Sequence, residues 1–108
     1  MRLAYYTTAS GRMPVVEYIE RQPKPDRARL VDALEMIEVH GFGAPRVRFR
    51  QIQSKLWEIK IEATLSHRVF YASVSADEIV LLHAYQKKSQ KAPAHEIAVA
   101  EKRMREIL

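Results

Sequence analysis

The 108-residue chain contains no cysteine. That removes disulfides, a thiolate nucleophile and a Cys-rich zinc site, and makes a reducing cytosol the compatible compartment. No apolar run approaches the ~20 residues of a membrane span, so no membrane association is expected. The opening Met1-Arg2-Leu3-Ala4-Tyr5-Tyr6 is too short and too aromatic for a signal peptide. No internal repeat or low-complexity tract occurs, and neither the histidines nor the acids fall at metal-ligand spacing. A chain of this length holds one domain, residues 1–108, with a real core.

What is present is charge of one sign, unevenly placed. The formal charge is +5. Between Arg46 and Lys91 stand nine basic residues (Arg46, Arg48, Arg50, Lys55, Lys60, Arg68, Lys87, Lys88 and Lys91) against four acids (Glu58, Glu62, Asp77 and Glu78), while the other nine of each sign cancel. The excess therefore belongs to one region. Nucleic acid or an acidic protein is the expected partner.

That region reads as an antiparallel meander. Residues 56–61, 67–74 and 78–86 are short runs rich in Ile, Val, Leu, Phe, Tyr and Trp, separated by polar, turn-prone residues. In the first, Trp57, Ile59 and Ile61 alternate with Glu58, Lys60 and Glu62, which predicts one buried and one wetter face. The last begins apolar on both faces, as a central strand would. It then places His83, Tyr85 and Lys87 on one parity, with Leu82 and Ala84 on the other. The expected product is a sheet packed on one side and showing basic and aromatic groups on the other.

Elsewhere the pattern is helical or ambiguous. Residues 2–6 predict a first strand. Pro14 opens a short helix with a Val15, Val16, Ile19 stripe, ended by Pro23 and Pro25. Asp26 is the expected cap of a second helix with Leu30, Ala33, Leu34 and Ile37 at helical spacing, stopped at His40-Gly41-Phe42-Gly43. These two helices are expected to form a hairpin over one sheet face. Residues 44–55 read as an irregular extended lead with Arg46, Arg48 and Arg50 on one side, serving either as phosphate contacts or as a solvated edge. Pro93 starts a last helix with an Ile97, Ala100, Met104, Leu108 stripe. The fold class is α+β: a small antiparallel-dominated sheet of about four strands, an N-terminal helical hairpin and a C-terminal helix.

The segments Leu56-Trp57-Glu58-Ile59-Lys60, Arg68-Val69-Phe70-Tyr71, Ile79 through Lys88, and Gln90-Lys91-Ala92-Pro93 resemble, in order, signatures of the phage-derived Gp49-like / HigB group of the RelE/ParE toxin superfamily. The resemblance implies a RelE-like toxin that cleaves messenger RNA on the ribosome in the cytoplasm. It also implies neutralisation by a cognate helix-turn-helix antitoxin and no use of a metal or other cofactor. Two positions depart from the pattern: Lys60 stands where arginine is frequent, and Tyr85 where phenylalanine is common. Gyrase-inhibiting toxins and non-catalytic binding modules share such a fold, and fold alone does not separate them.

Metal-free RNA cleavage needs a base for the ribose 2′-hydroxyl, cations for the phosphorane and a proton source for the departing 5′-oxygen. Lys60 and Arg68 are expected side by side on a solvated face, because a short loop joins their strands. Arg68 suits a phosphate clamp, and Lys60 is the candidate base if its pKa is lowered. Tyr85 would stack on a base or orient the phosphate, and Lys87 would stand near the scissile group. Arg46, Arg48, Arg50, Lys55, Lys88 and Lys91 are the expected RNA or ribosome contacts. His83 is the one histidine on this face, a possible acid or base. Glu58 is read as an ion-pair partner of Lys60, which would keep that lysine charged.

Overall fold

The computed structural model describes residues 1–90 and 93–108. In chain order it contains strand β1 (Arg2–Tyr5), helices α1 (Pro14–Glu20) and α2 (Lys24–His40), a 3-10 turn at Gly41–Gly43, strands β2 (Arg48–Gln53), β3 (Leu56–Glu62), β4 (Ser66–Ser75) and β5 (Glu78–Gln86), and helix α3 (Ala94–Ile107). The general α+β class holds. The sheet has five strands rather than about four, ordered β1-β5-β4-β3-β2, with β1 parallel to β5 and the other pairs antiparallel.

The added strand is the stretch expected to be irregular. Residues 48–53 pair with β3 from Arg48 opposite Lys60 to Gln53 opposite Leu56, and a bulge at Ile52 absorbs one residue. This strand is the sheet edge, where alternating arginines cost little because their heads remain in water. Arg46 does not belong to it. Its φ is 60°, it lies before the strand, and it is tied to α2 through Asp32 (3.2 Å) and through its own carbonyl, which accepts from Arg29 (2.5 Å).

Two cores lie on opposite sheet faces. On one, Val15, Tyr18 and Ile19 of α1 and Leu30, Ala33, Leu34 and Ile37 of α2 bury Ile59, Ile61, Val69, Tyr71, Ile79 and Leu81. On the other, Ala100 and Met104 of α3 cover Leu56, Phe70, Ala72 and Leu82. The second face is therefore half covered, not open. Its stripe stops short of the terminus, since Leu108 is 52% exposed.

A second bulge explains why Leu82 joins this face. Phe70 pairs with His83 and Tyr71 with Leu81, so Leu82 is the extra residue of β5. The bulge resets the period of two, and Leu82 and Tyr85 meet in one cluster although their parities differ.

Asp26 does not cap α2. Pro23 occupies the cap position with no side-chain hydrogen bond. Asp26 is instead fully buried, where its carboxylate accepts from Thr64 Oγ1, from the Leu65 amide (2.9 Å) and from His67 Nε2 (2.7 Å). The three donors hold its carboxyl down at about 2, although burial opposes them. A carboxylate only accepts, so His67 Nε2 carries the hydrogen, and in the neutral ring Nδ1 accepts the Tyr18 hydroxyl at 2.6 Å. Burial and the nearby Asp26 push the Tyr18 phenol up to about 12. This chain of contacts ties α1, α2 and the β3–β4 loop to the sheet.

Candidate functional site

Strand pairing sets the candidate site. Arg48 lies opposite Lys60, Lys60 opposite Arg68, and Arg68 opposite Tyr85. One row thus runs across β2, β3, β4 and β5 on the face that α3 half covers, with about 4.8 Å between strands. The neighbouring row is Arg50, Glu58, Phe70 and His83. Beside the first row lies a cleft of about 560 Å³ lined by Arg46, Val47, Arg48, Lys60, Glu62 and Arg68.

The residues of the first row differ in environment. Arg68 is 8% exposed, not on a solvated face as expected. Its Nη1 donates to Glu62 Oε1 (3.1 Å), Ser66 Oγ (2.9 Å) and the His67 carbonyl (3.0 Å), while its buried Nε has no hydrogen-bond partner among the described residues. Lys60 is partly exposed and makes no hydrogen bond or ion pair with the described residues. Partial desolvation first, then the charges of Arg50 and Arg68, lower its pKa below the ordinary 10.5, with Glu58 opposing. Tyr85 is buried, its hydroxyl donates to Glu58 Oε2 (3.3 Å), and burial followed by the Glu58 charge pushes the phenol up to about 12. Its ring stacks on Phe70 at 5.5 Å.

Glu58 is not the partner of Lys60. It is fully buried and binds Arg50 at 3.1 Å, with Arg68 Nε at 3.8 Å from the same oxygen. Its parity was readable from the sequence, but its burial was not, because the side chains around it, Arg50, Arg68 and Tyr85, come from three other strands.

His83 lies under α3. Its Nε2 is 2.6 Å from Glu96 Oε1, its Nδ1 is 3.3 Å from Arg103, and burial lowers its pKa against the pull of Glu96. It sits away from the cleft. Lys87 follows β5, its amide bonded to the Ser66 carbonyl (2.8 Å) and its Nζ near the Gln90 carbonyl (3.3 Å), one step beyond Tyr85. Lys88 is exposed and lines a separate cavity with Tyr18, Tyr85 and Glu96. Lys55 lies in the β2–β3 turn, at the far end of the hairpin from the cleft. Lys91 falls outside the described residues.

The structure thus brings Arg48, Lys60, Arg68 and Tyr85 together, with Arg50 and Lys87 flanking them and Arg46 at the rim. Chemically, the row offers two guanidinium groups for an anion and an unpaired amine between them. Among the described residues no three His, Asp or Glu side chains converge as a metal site would require, and no helix is long and apolar enough to cross a membrane.

A comparison with curated proteins found no match. The family model described as phage derived protein Gp49-like (DUF891) matches residues 17–105, which takes in the second half of α1, all of α2, β2 to β5 and nearly all of α3. By that match the chain belongs to the Gp49-like family.

Proposed function

We propose that this protein is the toxin of a toxin–antitoxin pair and acts as a ribosome-dependent mRNA endonuclease. Family membership is consistent with a toxin in general. The observation that carries the finer reading is the row Arg48–Lys60–Arg68, which sets an unpaired amine of lowered pKa between two guanidinium groups beside a cleft.

In this mechanism the Lys60 amine takes the proton of a ribose 2′-hydroxyl, the 2′-oxygen attacks phosphorus, and the P–O5′ bond breaks. Arg68 and Arg48 bear the charge that develops on the phosphorane oxygens. Lys87, one step along the face, supplies the proton to the departing 5′-oxygen. Tyr85 keeps its phenolic proton and serves as a platform for a base. The product ends are a 2′,3′-cyclic or 3′-phosphate and a 5′-hydroxyl. A cognate helix-turn-helix antitoxin is the proposed inhibitory partner, acting on the same cytoplasmic protein.

The alternative is a gyrase-inhibiting toxin or a non-catalytic binding module. The burial of Arg68 favours it, because a guanidinium committed to Glu62, Ser66 and a carbonyl has a structural explanation. Expression in a bacterial host separates the readings. The proposal expects growth arrest, relief by the product of the neighbouring open reading frame, and cuts within codons of translated messages, with naked RNA cut poorly. Intact messages with blocked gyrase supercoiling would transfer the assignment to the alternative.

A further inference from the structure

A surface made only to attract a polyanion gains nothing from a carboxylate at its centre, yet Glu58 sits there with no exposure to solvent. Its oxygens divide their work. Oε1 takes Arg50 Nη2 at 3.1 Å and faces Arg68 Nε at 3.8 Å, and Oε2 accepts the Tyr85 hydroxyl at 3.3 Å. Burying a carboxylate is costly unless such partners surround it, and a buried ion pair is a poor source of net stability. What the arrangement does supply is orientation: Glu58 faces the Arg68 Nε as an ion-pair partner where that nitrogen has no hydrogen bond to the described residues, and it sets the Tyr85 hydroxyl rotor.

We propose that Glu58 is the positioning residue of this site, orienting Arg50 and Arg68 toward a bound phosphodiester and holding the Tyr85 ring in place, while leaving the amine of Lys60 unpaired. The proposal rests on the reading of the first row as an RNA-cleaving site. It reverses the sequence expectation, in which Glu58 is the ion-pair partner of Lys60 and keeps it charged.

The charge and the placement of Glu58 act in opposite directions on RNA. Its negative charge repels a phosphate, and its geometry aligns the groups that stabilise the transition state. The two effects separate in Glu58→Gln and Glu58→Asp. For each variant, affinity is measured with a 2′-O-methyl RNA fragment, which cannot be cut. Single-turnover cleavage is measured on a translated message, and the Arg50 and Arg68 Nε–Hε signals are recorded by NMR with melting curves alongside.

Glu58→Gln should bind the fragment about threefold tighter and cleave about tenfold or more slowly. Glu58→Asp, which keeps the charge but not the reach, should bind as wild type and also cleave slowly. In both, the arginine signals should move. A side chain that only supports the fold would lower binding and cleavage together, in proportion to the unfolded fraction, and that result overturns the proposal. So does wild-type cleavage by Glu58→Asp. If wild-type protein cuts no message at all, the proposed function falls. The positioning claim is then decided by the fragment affinities and arginine signals, and unchanged values for both would overturn it.

Discussion

Replacing His67 by leucine removes the central link of the Tyr18–His67–Asp26 chain while keeping an apolar side chain of similar bulk. Two costs follow from the contacts. Asp26 loses one of its three donors, a charge-assisted hydrogen bond of 2.7 Å, for which about 1.5–3 kcal/mol is typical. The Tyr18 hydroxyl loses the acceptor it has among the described residues and stays buried, at about 1–3 kcal/mol. The expected destabilisation is therefore about 4 kcal/mol, a large part of the ~5–15 kcal/mol available to a domain. At ~4 °C per kcal/mol for a domain near this size, the melting point falls by about 15 °C.

Tyr18→Phe should cost less, about 1–2 kcal/mol, because only one hydrogen bond is lost. Once His67 is leucine, however, Tyr18→Phe removes a stranded hydroxyl. The double variant should therefore be more stable than the summed single effects by about 1 kcal/mol. Urea unfolding followed by circular dichroism measures all three. A His67→Leu midpoint within ~1 kcal/mol of wild type, or strict additivity in the cycle, would refute the claim that these side chains form one connected network.

The same network sets an acid limit. With the Asp26 carboxyl held at about 2 against an ordinary 3.8, its contribution is present above the unfolded value and is lost as pH falls from about 5 toward 2. Asp26→Asn should flatten that part of the stability–pH curve, as read from urea midpoints at pH 3, 5 and 7. Because Arg68 is buried with three acceptors on Nη1, Arg68→Ala should cost about 1–3 kcal/mol, not the under ~0.5 kcal/mol of a solvated position; melting curves decide between the two. Lys60→Arg keeps the charge and loses the base, so ribosome association should persist while message cleavage stops, and wild-type cleavage should rise with pH and level off below 10.5. Arg48→Ala should weaken ribosome binding and reduce the salt slope by about 1 while leaving residual cleavage, as binding titrations at several salt concentrations would show.

Strands β3, β4 and β5 were legible because each carries enough apolar residues to declare a period of two. The edge strand β2 was not. Only Phe49 and Ile52 are even partly buried in it, so its charges look like loop composition. Pairing is invisible where no local turn implies it, and the parallel contact of β1 with β5 joins residues some 76 positions apart. The row Arg48–Lys60–Arg68–Tyr85 followed from hairpin logic for Lys60 and Arg68, but Arg48 joined it only through β2. Bulges at Ile52 and Leu82 defeat parity counting in principle, since one extra residue reassigns every later side chain. Asp26 was misread because an acid in the first turn of a helix is ordinarily a cap, and nothing local announces that a histidine 41 residues later will claim it.

Adjacent residues of β4 carry two polar networks to opposite faces. His67 points toward α1 and α2, where it bonds Tyr18 and Asp26, and the Asp26 carboxylate in turn accepts from Thr64 and Leu65 of the β3–β4 loop. Arg68 points to the cleft and is held by Glu62 and Ser66, which flank that same loop, and by the His67 carbonyl itself. Alternation along a strand makes this division geometrically free. It also couples the networks, because the backbone that Asp26 and His67 immobilise is the backbone that sets the Arg68 guanidinium. The buried chain on one face thus serves as the foundation of the cationic row on the other.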